Sequence, residues 1–151
     1  LDNGQFEEAR AAFKALEDNP RVAVMEIDNE IDYYIAMDLL TQGKYEDAIS
    51  AFEALGDFKD SQEMITETKY RQAGQMEIDE EYASAYEIYT DLGDYADSME
   101  MKDELMEMLY TIGVDAYNAG DYVTARENLG LIPEYEDANE YLQLMQDDAG
   151  N

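Results

Sequence analysis

A pattern of aromatic, small and large apolar residues recurs four times along the chain and restricts the folds open to it. Each copy has an aromatic residue, an alanine three positions later, a large apolar residue four further on, and Leu or Ile three beyond that. These offsets place the side chains on one stripe of an α-helix. The opening aromatic residues are Phe6, Tyr45, Tyr82 and Tyr122, at steps of 45−6 = 39, 82−45 = 37 and 122−82 = 40 residues. A period of ~35–45 residues is typical of stacked helical repeats.

Longer apolar-periodic segments alternate with these short ones, and together they predict about eight helices and no strand. The short helices cover 4–16, 45–55, about 80–92 and 121–129, the longer ones cover 20 to about 42, 60 to about 76 and 97–119, and a terminal helix covers 135–145. Asp28-Asn29 is a candidate break in the first long helix. The alanines of the short helices (Ala48, Ala85) let paired helices approach closely, while large residues fill the gap to the next pair. We therefore predict an all-α fold, an α-α superhelix of antiparallel helix pairs.

A linker precedes each later long helix and carries helix-start signals. The sequence Gly-Asp-Phe-Lys-Asp-Ser at 56–61 returns almost unchanged at 93–98. Asp followed three positions later by Glu fits a capping box, at Asp60/Glu63, Asp97/Glu100 and Asp137/Glu140. The aromatic residue inside each linker is predicted to pack under the turn as a hydrophobic staple.

Charge excludes several classes of partner. The chain has 38 acidic and 9 basic residues, which gives a formal net charge of −29. Nucleic acid and anionic lipid would be repelled, and no apolar run approaches the ~18 residues of a membrane span. We predict neither nucleic-acid binding nor membrane insertion. The acidity has three open explanations: a solvated surface, attraction for a cationic partner, or adaptation to high salt.

Catalytic and metal-binding signals are weak. The chain has no cysteine and no histidine, so thiolate chemistry and the commonest general base are missing. Asp28, Glu30 and Asp32 alternate, but the segment lacks the turn glycine and final glutamate of a calcium loop. We predict a non-enzyme with no catalytic residue, no metal site and no cofactor.

The repeats define the domain organisation. We predict one helical-repeat domain over 1–151, made of a half repeat at 1–19, repeats at 20–56, 57–93 and 94–132, and a terminal helix at 133–151. The chain begins at Leu1, without an initiator Met or a signal-peptide pattern, so we expect a fragment or a processed chain.

One family shares the spacing of the residues in these repeats. The pattern Tyr33-x2-Ala36-x8-Tyr45-x2-Ala48-x3-Phe52-x2-Leu55 resembles a divergent, bacterial-type tetratricopeptide repeat, and parallel copies start at Tyr70 and Tyr110. The chain departs from the family in its period of 37–40 residues rather than ~34. It also departs at Glu80, where the other copies have Gly43 and Gly120.

The resemblance implies a concave face lined by the longer helices, and we expect partner binding there. Its candidate residues are Glu30, Tyr33, Glu67, Tyr70, Glu77, Glu107, Tyr110 and Tyr117. A Glu-x-x-Tyr spacing recurs three times among them, and offset three keeps each pair on one helix face. Carboxylates beside tyrosines suit Lys or Arg side chains. The alternative is that these tyrosines pack between repeats and the glutamates are solvated.

A methionine-rich helix leaves a second alternative open. Met99, Met101, Met106 and Met108 either fill gaps in the core or form an adaptable binding surface. We expect a non-enzymatic protein-interaction scaffold for a protein or peptide, with a groove for a basic or amphipathic segment. The competing interpretation is a structural spacer, without a dedicated ligand, inside a larger, secreted or surface-exposed bacterial protein.

Overall fold

The structure is a computed structural model that describes Lys14 and residues 20–148. These described residues form seven α-helices and contain no strand. The helices are α1 (Pro20–Thr41), α2 (Tyr45–Leu55), α3 (Ser61–Ile78), α4 (Tyr82–Leu92), α5 (Ser98–Ala119), α6 (Tyr122–Leu129) and α7 (Ala138–Asp148). The all-α prediction is confirmed for this part of the chain. The predicted short helix at 4–16 lies outside the described residues, apart from Lys14.

The predicted break at Asp28-Asn29 is wrong, because α1 is continuous from Pro20 to Thr41. Asp and Asn are only moderately unfavourable inside a helix, so neighbouring residues of good propensity carry the helix through them. A single polar pair without Gly or Pro is a weak stop signal.

The three long helices, α1, α3 and α5, end in the same way. Gly43 and Gly120 follow α1 and α5 with φ of +72° and +81°, the left-handed conformation that glycine adopts without strain. Glu80 follows α3 with φ of +62°, so the replacement of glycine leaves the backbone turn unchanged. In each case the next amide donates to a carbonyl five residues back: Lys44 to Leu39, Glu81 to Met76 and Asp121 to Ala116. This is the Schellman arrangement, which satisfies carbonyls left open at a helix end.

The capping box predicted at Asp97 is wrong. Asp97 precedes α5 as its N-cap residue, but its side chain makes no capping hydrogen bond. Asp121 does cap a helix: its Oδ1 accepts from the backbone amide of Thr124 at 3.2 Å and its Oδ2 accepts from the Thr124 hydroxyl at 2.7 Å.

The chain divides into two compact units, and the boundary falls between Thr68 and Lys69 inside α3. In the first unit, α1 and α2 pack on each other around a buried core. Its members are Ala36, Leu40, Ala48 and Phe52, and Met64 and Ile65 of α3 pack against them. The close approach predicted at Ala48 is confirmed, since Ala48 of α2 is fully buried together with Ala36 of α1.

The second unit is built by packing of helices that follow one another in sequence. One cluster joins α3, α4 and α5 through Ala73, Ala85, Tyr89 and Leu105. Another joins α6 and α7 through Ala125, Leu129, Ala138 and Met145, with residues of α5 packed against it. Within α5, Met101 packs on the first cluster, whereas Met99 and Met108 are exposed. The core explanation for the methionines therefore holds for only part of the set.

Candidate protein-binding site

A tyrosine in each of the long helices α1, α3 and α5 donates a hydrogen bond to the aspartate that immediately precedes α3, α5 and α7, respectively. The Tyr33 hydroxyl donates to Asp60 Oδ1 at 2.6 Å, and the Tyr70 hydroxyl donates to Asp97 Oδ1 at 2.5 Å. The Tyr110 hydroxyl donates to Asp137 Oδ1. All three partners are 27 residues apart. The bond is therefore a property of the repeat and not of one site.

The linker that carries each aspartate has the same local geometry in all three copies. The residue before the aspartate has positive φ without being glycine: Lys59 at +50°, Ala96 at +50° and Glu136 at +47°. The residue after the aspartate is Ser61, Ser98 or Ala138, and each is fully buried. The backbone turn therefore fixes where the aspartate and its two neighbours point.

The linker aromatic ring packs edge-on against the same tyrosine. The ring centroids of Tyr33 and Phe58 are 6.3 Å apart, those of Tyr70 and Tyr95 are 5.9 Å apart, and those of Tyr110 and Tyr135 are 5.7 Å apart. The interplanar angles are 66°, 68° and 67°, the T-shaped arrangement favoured by aromatic quadrupoles. Each tyrosine is thus held at its ring and at its hydroxyl.

The first, second and third repeats are named from here by their tyrosines, Tyr33, Tyr70 and Tyr110, and each includes the linker that carries its aspartate. In the first repeat this frame surrounds the ammonium group of Lys59. Lys59 Nζ lies 2.6 Å from Glu30 Oε1. The same nitrogen lies 4.8 Å from the ring centroid of Tyr33 and 5.2 Å from that of Tyr34. Phe58 adds a third ring at 5.7 Å. The Lys59 ammonium group therefore donates a charge-assisted hydrogen bond to Glu30 and also makes cation–π contacts.

Hydrogen bonding and burial raise the pKa of two of these tyrosines, Tyr33 and Tyr110, and of Tyr89 in α4. The bond to Asp60, assisted by burial, raises the pKa of Tyr33 to about 12. The bond to Asp137 likewise raises the pKa of Tyr110 to about 12. Burial, followed by the bond to Glu77, raises the pKa of Tyr89 further still. At neutral pH all three hydroxyls are protonated and act as donors to carboxylates.

The residues predicted from the sequence fall into two groups. Glu30 and Tyr33 meet around Lys59, and Tyr70 and Tyr110 occupy the equivalent frames. Glu107 is exposed one turn before Tyr110, and Glu67 is half-buried in α3.

Glu77 and Tyr117 form the second group, whose contacts lie between packed helices. Glu77 accepts from the buried Tyr89 hydroxyl at 2.5 Å. The ring of Tyr117 packs against Tyr122 and Tyr141, with centroids 5.6 and 4.9 Å apart. For these two residues the contacts match the packing alternative.

Sequence reasoning missed Lys59 and the three aspartates as parts of the site. The sequence pattern predicts the aspartates as helix caps and assigns no role to Lys59. The sequence carries a signal for this contact. Each tyrosine and its aspartate are 27 residues apart, although the tyrosines themselves are 70−33 = 37 and 110−70 = 40 residues apart. A spacing that survives a change of period indicates a contact.

A groove of about 280 Å³ adjoins the frame of the third repeat. It is lined by Tyr86, Met106, Ile132, Pro133 and Tyr135, among others. Tyr135 belongs to both features, because its ring also contacts Tyr110. Met106 lies one helical turn before Tyr110 on α5, beside Glu107.

Neither a metal cluster nor a membrane span is found in the part of the chain that the structure describes. No group of three or more carboxylates there is arranged to hold a metal ion. None of the seven described helices is both long and apolar enough to cross a membrane.

In comparisons with known proteins, no family model, no curated protein and no solved structure matched this chain.

Proposed function

We propose that the chain is a helical-repeat scaffold, organised like a tetratricopeptide array, that binds a basic segment of another protein without catalysing a reaction. The observation that carries the proposal is the position of Lys59 on Glu30 and Tyr33, at 2.6 Å and 4.8 Å. This contact is an internal example of the recognition proposed for a partner: a lysine held by a Glu-x-x-Tyr pair.

The other repeats keep the pair and change the residue at the lysine position. Glu67/Tyr70 and Glu107/Tyr110 repeat the spacing of Glu30/Tyr33, while Ala96 and Glu136 stand where the first repeat has Lys59. In the repeat of Glu107 and Tyr110, a partner's lysine or arginine would supply the cation.

The charge of the chain supports the same class of partner. A formal net charge of −29 attracts cationic segments over a Debye length and speeds encounter. Long-range attraction alone gives no preference among basic partners. In the proposal, specificity comes from the aromatic and carboxylate groups of the repeats.

Two variants of equal charge test the proposal. Glu67→Gln/Glu107→Gln removes carboxylates from the repeat pairs, and Glu53→Gln/Glu87→Gln removes exposed ones from α2 and α4. Both change the formal net charge from −29 to −29 + 2 = −27. The probe is a fluorescein-labelled peptide of alternating lysine and leucine, followed by fluorescence anisotropy at low and high salt.

We expect the first variant to lose about tenfold in affinity, equivalent to about 1.4 kcal/mol, and the second less than about twofold. Added salt should weaken both complexes. Equal losses in the two variants would show that only bulk charge acts, and would favour the structural spacer over the binding scaffold.

A further inference from the structure

The first and third repeats share one frame but carry opposite charges at one position. Lys59 and Glu136 have nearly equal φ, +50° and +47°, and each immediately precedes the aspartate that accepts from the repeat's tyrosine. The linker rings meet Tyr33 and Tyr110 at 66° and 67°. Because the backbones match, the side chains at 59 and 136 leave the linker at equivalent points.

Three of the four groups that contact the Lys59 ammonium have counterparts in the third repeat, whereas Thr111 stands where the first repeat has the Tyr34 ring. Glu30 corresponds to Glu107, Tyr33 to Tyr110 and Phe58 to Tyr135, each at the same offset from its tyrosine or aspartate. Glu136 adds a carboxylate where the first repeat has its cation, and its charge acts on Tyr110. The third repeat therefore presents two aromatic rings and two carboxylates around the place that an ammonium occupies in the first.

The groove beside this frame supplies an apolar contact. Met106, Ile132 and Pro133 line it, and Tyr135 is common to the groove and the frame. A side chain of the size of leucine fits a cleft of about 280 Å³. An apolar site next to a cation site is the surface that complements an amphipathic basic segment.

We propose that the third repeat is the primary docking site for the partner: a lysine or arginine binds between Glu107, Glu136 and the Tyr110 ring, and a neighbouring apolar side chain enters the Met106–Tyr135 groove. This proposal rests on the proposed function and names the part of the chain that carries it. The partner segment is then basic and amphipathic, with an apolar residue adjacent to the cation. In the first repeat, Lys59 occupies the equivalent place itself.

The repeats themselves suggest the decisive substitution. Glu136→Lys reproduces the first repeat, and Lys59 shows that lysine is accommodated at this positive φ. The probe is a fluorescein-labelled peptide with a leucine flanked by lysines in a Gly-Ser background. We expect Glu136→Lys to lower its affinity at least about tenfold, because the introduced ammonium occupies Glu107 and the Tyr110 ring.

A matched control separates this effect from net charge. Glu127→Lys makes the same charge change at an exposed position of α6 and should cost less than about twofold. Circular dichroism of both variants checks that helix content is retained. Equal affinities of Glu136→Lys and the unmodified chain would overturn the assignment of the third repeat.

The groove has its own test. Replacing the peptide's leucine by glycine should weaken binding to the unmodified chain by about fivefold or more. Met106→Gln should remove that preference, whereas Met99→Gln, at an exposed position of the same helix, should keep it. A leucine preference that survives Met106→Gln would overturn the groove as the apolar contact.

The outcomes distinguish this inference from the proposed function. If Glu136→Lys binds normally while Glu67→Gln/Glu107→Gln is impaired, the scaffold function stands and the third-repeat assignment fails. If neither variant is impaired, both proposals fail.

Discussion

The Tyr33 hydroxyl donates to Asp60 Oδ1 at 2.6 Å and so ties the middle of α1 to the first residue before α3. The two bonded residues flank the end of α1 and the whole of α2 in the sequence. Its two counterparts lie at the same separation of 27 residues, so the contact recurs in all three copies. Each bond holds the residue before α3, α5 or α7 against a tyrosine of the preceding long helix.

Removing this hydroxyl should destabilise the fold. We expect Tyr33→Phe to lower the free energy of unfolding by about 1 kcal/mol, the usual net value of one hydrogen bond, because the ring contacts remain. Urea denaturation followed by circular dichroism measures the change. Tyr34→Phe is the matched control: the next residue is 56% exposed and should change stability by less than about 0.5 kcal/mol. Equal stability of the two variants would show that the bond contributes nothing.

The raised tyrosine pKa values predict a loss of stability in alkali. Tyr33 and Tyr110 have pKa values of about 12 in the folded chain, against an ordinary 10.0. Between these values the folded state holds protons that the unfolded state has released, so stability falls as pH rises from about 10 to about 12. The contribution is fully present below pH 10.

Urea unfolding at several pH values from 9 to 12 tests this. The Tyr33→Phe/Tyr110→Phe variant should show a shallower decline over the window, although it starts from lower stability at pH 9. Absorbance near 295 nm, which follows phenolate formation, should show these two tyrosines ionising after the exposed ones. A parallel decline in the variant and the unmodified chain would contradict the assignment.

The helices could be predicted from the sequence because their signals are local. The repeated stripe of Tyr45, Ala48, Phe52 and Leu55 predicts a helix at 45–55, and the structure has α2 at those residues. Gly43 marks the end of α1 because glycine tolerates positive φ. Spacing and glycine position are sufficient for such elements.

The aspartates show where the sequence is insufficient. Asp97 three residues before Glu100 has the pattern of a capping box, yet its carboxylate accepts from Tyr70. The difference arises from the positive φ at Ala96, which re-aims the following residue and is not apparent from an alanine in the sequence. The contacts of Lys59 with Glu30 and Tyr33 depend on the equivalent turn, in which Lys59 itself has positive φ, so they are not apparent from the sequence either.

Close packing of α5 on α6 makes Gly113 intolerant of a side chain. A Cβ at Gly113 would lie 2.5 Å from Leu129 Cγ, and Leu129 is fully buried. Alanine improves helix propensity by about 1 kcal/mol, but overpacking of a rigid core costs about 1–3 kcal/mol. We expect Gly113→Ala to destabilise the chain by about 1 kcal/mol net in urea denaturation.

Gly74 in α3 is the control, because a Cβ there would meet only Tyr89 Oη at 3.8 Å. Gly74→Ala should therefore stabilise the chain by about 0.5–1 kcal/mol through helix propensity alone. The same sign of change at both glycines would be incompatible with the packing described here.

Ser98, at the start of α5, is a buried polar residue whose replacement by alanine should stabilise the fold. Ser98 is fully buried, and its Oγ has no hydrogen-bond partner among residues 20–148. Ala138 takes the equivalent place in the third repeat and is equally buried, so an alanine fits there. We expect Ser98→Ala to raise the free energy of unfolding by about 1 kcal/mol, since it removes an unsatisfied hydroxyl without opening a large cavity.

Ser61 provides the opposite case at the same position of the first linker. It is also fully buried, but its Oγ donates to the Phe58 carbonyl oxygen at 2.5 Å. Ser61→Ala should therefore destabilise the chain by about 1 kcal/mol, because a formed hydrogen bond is lost. Urea denaturation of the two variants side by side compares the two hydroxyls within one repeated frame. Destabilisation by both substitutions would mean that the Ser98 hydroxyl is satisfied in solution.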